Sequence, residues 1–480
     1  MSLDPPTYIL SLQNNIRARP ISWEGAVRAK TITDADLRKI KSIDKVRKET
    51  RRQTIEADTE GFCSLLLGGN GSPSIFEAAA KRPDITQYML VLTGDLIDDI
   101  PTFTTALIKH PAPFRPFLPL LKASPNVEET IPLLASAVLS SLLSTALTVP
   151  TKNTSQIDEA LPKLYSNLSA LAKSSDAGLQ DIAVQEYSVV LRTKKSREIF
   201  WNQRSETLNP LIDILRAAAG AAKDTDSTLW SGSPSIRSVP EGSLAGGVGL
   251  QLLYHVLLVL WQLSFEGQLV GDGLHDEHDI IILYVQLLRL SPKEKTTRLL
   301  LSTLSNLLSS NPKTLLPAAV LARLPPLLSN IQSRHLTDPD ALEDLNALRG
   351  LLDDYTKTQT TFDEYAAELQ SGHLRWSPPH RNPTFWRENA HRILEENKGE
   401  LPRKLAEIMS KSWETDKQVL AIGCNDVACL VKEVPEKRAM LEKMGLKGRV
   451  MELMQEPDET VRWESLRAVG EWLRYSFEGK

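Results

Sequence analysis

The stretch DKQVLAIGCNDVACLV, Asp416 to Val431, decides the fold when set against DETVRWESLRAVGEWL, Asp458 to Leu473. At a constant offset of 42 residues, Asp416, Val419, Gly423, Val427, Leu430 and Val431 meet Asp458, Val461, Ser465, Val469, Trp472 and Leu473. Each copy opens with an Asp suited to cap a helix, and its small or apolar residues at i+3, i+7, i+11, i+14 and i+15 share one helical face. A period of this length belongs to armadillo and HEAT repeats. The same template stands at Asp176, Leu179, Ala183, Tyr187, Val190 and Leu191, and more weakly at Thr297, Leu301, Ser305 and Leu308, so the array is degenerate. One helix pair leaves its apolar stripe in water. Neighbours on both sides remove that surface, at roughly 25 cal/mol per Å². The predicted fold is therefore all-α, an α-solenoid of degenerate armadillo/HEAT-like repeats.

Outward from these copies, apolar residues recur at three- and four-residue steps along the whole chain, broken by Pro, Gly, Ser and Asp. Two longer loops are expected, at Gly68–Ser74 and at about 222–249, the second too polar and glycine-rich to bury a face and hence mobile. With 480 residues the chain exceeds one compact core. A short hinge is expected at Asp353–Thr361, where LEDLNALRGLLDDY gives way to the poorly helical KTQTT, dividing the chain into domains 1–354 and 355–480.

A net charge of -4 gives no electrostatic reason to expect nucleic acid. Cys63, Cys424 and Cys429 cannot pair completely and lack zinc or redox spacing, which suits a reducing compartment. Met1–Leu12 carries Asp4, Pro5 and Pro6 and lacks the pattern of a secretory signal, so a cytosolic location is expected. Ile131–Pro150 is uncharged and Leu250–Phe265 strongly apolar. The first is diluted by Pro132 and six hydroxyl side chains and the second is short, so both are read as buried solenoid helices.

No phosphate-binding G-x-x-x-x-G-K-[ST], nucleophile elbow or H-E-x-x-H helix occurs. No cofactor, metal or catalytic residue is expected. His275, Asp276, Glu277 and His278 look like ligands, but after GDG and before an apolar run they read better as a helix start with acidic residues in its first turn. Ten Lys or Arg against four Asp or Glu crowd Arg28–Arg52, where Thr33 and Asp36 have capping-box spacing and Leu37, Ile40, Ile43 and Val46 turn inward. Arg38 and Lys41 are the candidates there for docking an acidic partner or membrane surface. Trp376, Pro378, Pro379, His380, Phe385 and Trp386 form an aromatic and proline passage after the hinge, with Thr384 as the expected N-cap of the next helix. Trp376 and His380 are candidate partner-binding residues in it.

HLRWSPPHRNPTFWREN, His373 to Asn389, resembles the L-x-W-S/T-P-x-H and F-W-x-E/D-N passage of the H subunit of vacuolar-type proton-pumping ATPases. GLQLLYHVLLVLWQLSF from Gly249, SPKEKTTR from Ser291, Asn425 to Val469, and ISWEGAVRAKTITDADLRKI around Trp23 are similar to other passages of that family. Residues 222–249 and much of Ile75–Ser174 match only in pattern.

The resemblance implies a large N-terminal superhelix hinged to a smaller helical C-terminal domain, in a non-catalytic subunit of the pump's soluble sector. It implies that the N-terminal domain holds a peripheral stalk and the C-terminal domain bridges to the cytosolic domain of the membrane sector's stator. In the detached sector the C-terminal domain would contact rotor and catalytic ring and stop ATP hydrolysis. The whole would lie peripherally on the cytosolic face of vacuolar and other endomembranes. The inhibitory loop corresponds here to KSWETDK, with Lys411, Trp413, Glu414 and Lys417 as contact candidates. The alternative is another armadillo-type adaptor or transport receptor. Such grooves repeat Trp and Asn on successive helices, whereas this chain offers an isolated Trp201 and Asn202.

Overall fold

A computed structural model describes residues 6–69, 71–121, 129–150, 154–220, 248–291, 293–334, 336–358, 360–414 and 416–477. The expected loop at 222–249 lies outside the described residues except for its last two. Every regular element described is helical, and the only β-type contact among them is an isolated bridge between Gly69 and Ser72. The all-α solenoid is thus what forms. Two compact units divide it, Met1–Ala218 with Pro240–Val270, and Ala219–Val239 with Gly271–Lys480.

In the first unit four long helices pack in series: Pro83–Asp99 on Thr130–Thr148, that on Ala177–Val190, and that on Leu250–Ser264. Thr154–Ala172 lies against the middle two. Their apolar faces alone would allow sliding, and polar side chains fix the register. Ser136 and Ser140 of one helix donate to the two carboxylate oxygens of buried Glu186 on the next, at 3.1 and 3.0 Å. Burial pushes the Glu186 carboxyl up to about 8, against the lowering effect of those hydroxyls. Gln262 donates to the Ser188 carbonyl, and His255 on the same helix meets Asp181. Both apolar stretches tested against a membrane span are core helices here, although Thr130–Thr148 is long and apolar enough to cross one.

In the second unit Glu294–Ser310 packs on Pro339–Thr358, pinned by Arg298 between Asp338, at 3.0 Å, and Asp340. The two copies that announced the repeat, now Gln418–Glu433 and Glu459–Phe477, form the most extensive helix pair among the described residues. The Asp458 carboxylate caps its helix by accepting from the Thr460 and Val461 amides at 2.9 and 3.0 Å, and Asp176 does so for Leu179. Asp416 stands just outside its helix, whose N-cap position is Lys417 without a side-chain cap.

Several local expectations are corrected. Pro339–Thr358 runs through the foreseen hinge, leaving residues 359–360 between it and Thr361–Ser371, which starts on a Thr360–Asp363 capping box. HDEH closes the helix Gly267–His278 instead of opening the next, because Asp279 takes the left-handed φ of 52° that ends it. The prolines at 378 and 379 begin a short helical turn, Pro378–Arg381. The following helix starts at Pro383, capped by Asn382, whose side chain accepts from the Thr384 and Phe385 amides; Pro at the first helical position gives up only an N–H that has no acceptor within the helix. The Thr33–Asp36 capping box forms as read, with Leu37, Ile40 and Ile43 buried.

Candidate functional site

The loop after helix Glu400–Ser410 is held from beneath. Trp413 is 1% exposed, its indole N–H donates to the Ile408 carbonyl at 2.7 Å, and its ring meets His373 edge-on at 5.2 Å. Its φ of 47° is rare for a bulky residue and persists because these contacts fix the ring. Arg449 donates to the carbonyls of Met409 and Lys411, and Lys417 donates to the Ser412 carbonyl while pairing with Glu456 at 3.2 Å. Burial, with Lys411 and Arg375 nearby, lowers His373 to about 4, so it adds no charge beneath the loop at neutral pH. Of the four loop candidates, Lys411 and Glu414 are exposed, Lys417 is half-buried, and Trp413 is corrected from contact residue to anchor.

His380 is likewise corrected. It is fully buried, its Nδ1 2.7 Å from Asp426 and its Nε2 3.2 Å from Glu368. Burial alone would depress the imidazole, but the Asp426 charge and hydrogen bond, then Glu368, raise it to about 10. Burial raises Asp426 too, against the pull of His380. The arrangement that satisfies both is a protonated imidazole donating to a carboxylate on each side. Ser377 donates to Glu368 at 2.7 Å, the Arg375 amide donates to the other oxygen of the same carboxylate, and Asn425 donates to Asp426 and to the His380 carbonyl. With both ring nitrogens committed, His380 has no lone pair to act as a base. It fastens Thr361–Ser371, Pro378–Arg381 and Gln418–Glu433 together.

Trp376 remains half-buried at the rim, with the Arg381 guanidinium 4.6 Å from its ring centroid. A groove of about 460 Å³ opens beside it, lined also by Trp386, Lys432, Glu464 and Arg467. In the N-terminal segment Arg38 is exposed and donates to the Asp34 carbonyl of its own helix, and Lys41 pairs with Glu24 at 2.6 Å on the surface. Lys48 and Arg51 share Asp99, so the basic run is less positive than its composition. The candidates fall in separate places, and no single site collects them. Among the described residues no three His, Cys, Asp or Glu are placed to hold a metal. Burial raises the Cys63 thiol to about 11 and those of Cys424 and Cys429 to about 12, well outside the reactive range.

Sequence reading misses Glu368, Asp426 and Arg375. The available signal is Asp426 itself, a carboxylate inside the apolar run AIGCNDVACLV, which needs a buried partner.

Helices packed in series, with polar clusters fastening one to the next among the described residues, define an all-α helical-repeat protein. More particularly, the chain belongs to the family of V-ATPase H subunits, whose N-terminal and C-terminal models match residues 7–352 and 358–477. The H subunit of the V-type proton ATPase of Drosophila melanogaster is 26% identical over 481 residues, covering 97% of this chain and 89% of that protein. That of Dictyostelium discoideum is 26% identical over 89% of this chain and 86% of its own. One of the probable H subunits of the V-type proton ATPase of Caenorhabditis elegans is 33% identical over 225 residues, 46% of this chain and 49% of that protein.

Proposed function

We propose that this chain is a non-catalytic regulatory subunit of a vacuolar-type proton-pumping ATPase that supports coupled pumping in the assembled pump and inhibits ATP hydrolysis by the detached soluble sector. The observation that carries the proposal is the pair of family matches, which together run almost end to end. In this reading domain 1–354 holds the peripheral stalk. Domain 355–480 bridges to the cytosolic domain of the stator and, after detachment, presses on rotor and catalytic ring. The protein then sits peripherally on the cytosolic face of the vacuolar and other endomembranes. An anchored loop suits the inhibitory task, because a contact that must stop a rotor needs a tip that does not yield. Lys411 and Glu414 are the contact residues, and Trp413 and Lys417 hold their geometry.

The test mixes the chain with pump sectors that lack it. ATP hydrolysis by the free soluble sector should fall, while proton transport by the assembled pump should rise. A chain without effect on either would refute the proposal. Replacing Lys411 and Glu414 together by Ala should spare stalk binding and relieve inhibition several-fold. Undiminished inhibition would remove the loop from the mechanism.

A further inference from the structure

Three arginines from three separate segments gather at one place in the second unit. Arg289 stands in the last turn of Ile280–Leu290, which packs on both Pro312–Leu321 and Leu324–Gln332. Arg323 lies between those two helices as the N-cap residue of the second. Arg375 reaches them from the connection between Thr361–Ser371 and Pro378–Arg381, its guanidinium donating to the Leu321 carbonyl. The three charges act on one another. Burial and then the Arg323 charge bring Arg375 down to about 10, with Arg289 adding to the repulsion, and burial followed by Arg323 lowers Arg289. All three stay protonated at neutral pH.

The chain supplies little to neutralise them. Glu368 and Asp416 offset Arg375 in part, but Glu368 is already engaged by His380, Ser377 and the Arg375 amide. Arg289 and Arg323 are exposed and have no carboxylate partner among the described residues. Arg323 moreover holds φ 58°, a left-handed backbone that Gly adopts freely and that costs other residues about 1 kcal/mol. No described side-chain contact of Arg323 offsets that cost. Converging cations without acids attract an anion. A carboxylate is planar, and its two oxygens match one guanidinium fork. Forks rooted in three segments suit a phosphate group, which offers three acceptor oxygens and up to about two negative charges.

We propose that Arg289, Arg323 and Arg375 form a binding site for a phosphate-bearing anion, carried by a soluble polyphosphate or by a phosphorylated lipid headgroup. An anion held by all three also ties the connection after residue 371 to the helices before residue 333. The site stands or falls independently of the pump reading, so the full chain alone serves for the test. Inorganic pyrophosphate is titrated into it by calorimetry, and phosphatidylcholine vesicles with and without phosphatidylinositol bisphosphate are tested by co-sedimentation. Saturable binding of pyrophosphate is the result for a soluble ligand, and binding confined to the phosphoinositide vesicles is the result for a headgroup. In whichever arm binds, Arg289→Ala and Arg323→Gly should each weaken it at least about tenfold, and Arg289→Lys several-fold, since an ammonium lacks the fork. Arg323→Gly should not lower the unfolding temperature of the free chain, because Gly suits the left-handed angle. No binding in either arm, variants that bind as well as the unaltered chain, or equal binding of a hexaglutamate peptide would overturn the site.

Discussion

Trp413 and Glu414 are neighbours with opposite duties. Truncating a core tryptophan costs about 3–5 kcal/mol, and an exposed loop carboxylate within about 0.5 kcal/mol. Trp413→Ala should therefore shift the urea midpoint strongly while Glu414→Ala leaves it in place, which equilibrium unfolding by fluorescence measures. His380 makes a prediction in pH. Its folded value of about 10 lies above the ~6.5 of a free imidazole, so its contribution is complete below about pH 6.5 and is lost as pH rises through about 10. The urea midpoint should fall between pH 6.5 and 10. His380→Ala, which strands two buried carboxylates, should cost about 3–5 kcal/mol at neutral pH. A flat profile would show that the imidazole is neutral in the folded state.

At the scale of elements, caps and glycines give the tests. Asp458→Ala removes the acceptor for two amides and should cost about 1 kcal/mol in thermal unfolding. Gly470→Ala should stabilise by about 1 kcal/mol. Gly399→Ala should do the reverse, since Gly399 holds φ 78° with the Leu394 carbonyl 3.2 Å from where a Cβ would sit. Much at this scale is legible in the sequence. Thr33 with Asp36, and Asp176 and Asp458 with their apolar followers, are local patterns whose bonds span three residues. What escapes is not local in that sense. Trp413 in a polar heptad looks displayed until its contacts with Ile408 and His373 are known, and His380 looks like a surface histidine until residues 12 and 46 positions away close on it. HDEH misleads because Asp279, a non-glycine residue, takes a backbone angle that sequence gives little cause to expect.

At the scale of the whole molecule, the serial packing of helices makes each unit's stability a sum of neighbour interactions, with no closed barrel or sheet among the described residues to share a defect. The Glu368–His380–Asp426 cluster departs from that scheme. It ties the first helix after residue 360 directly to the penultimate long one, across a span of 58 residues from Glu368 to Asp426. Segments so joined lose their amide protection together. Deuterium should therefore enter Thr361–Ser371 and Gln418–Glu433 at one common slow rate in native-state exchange, and in His380→Ala the two should part company, the shorter helix exchanging first.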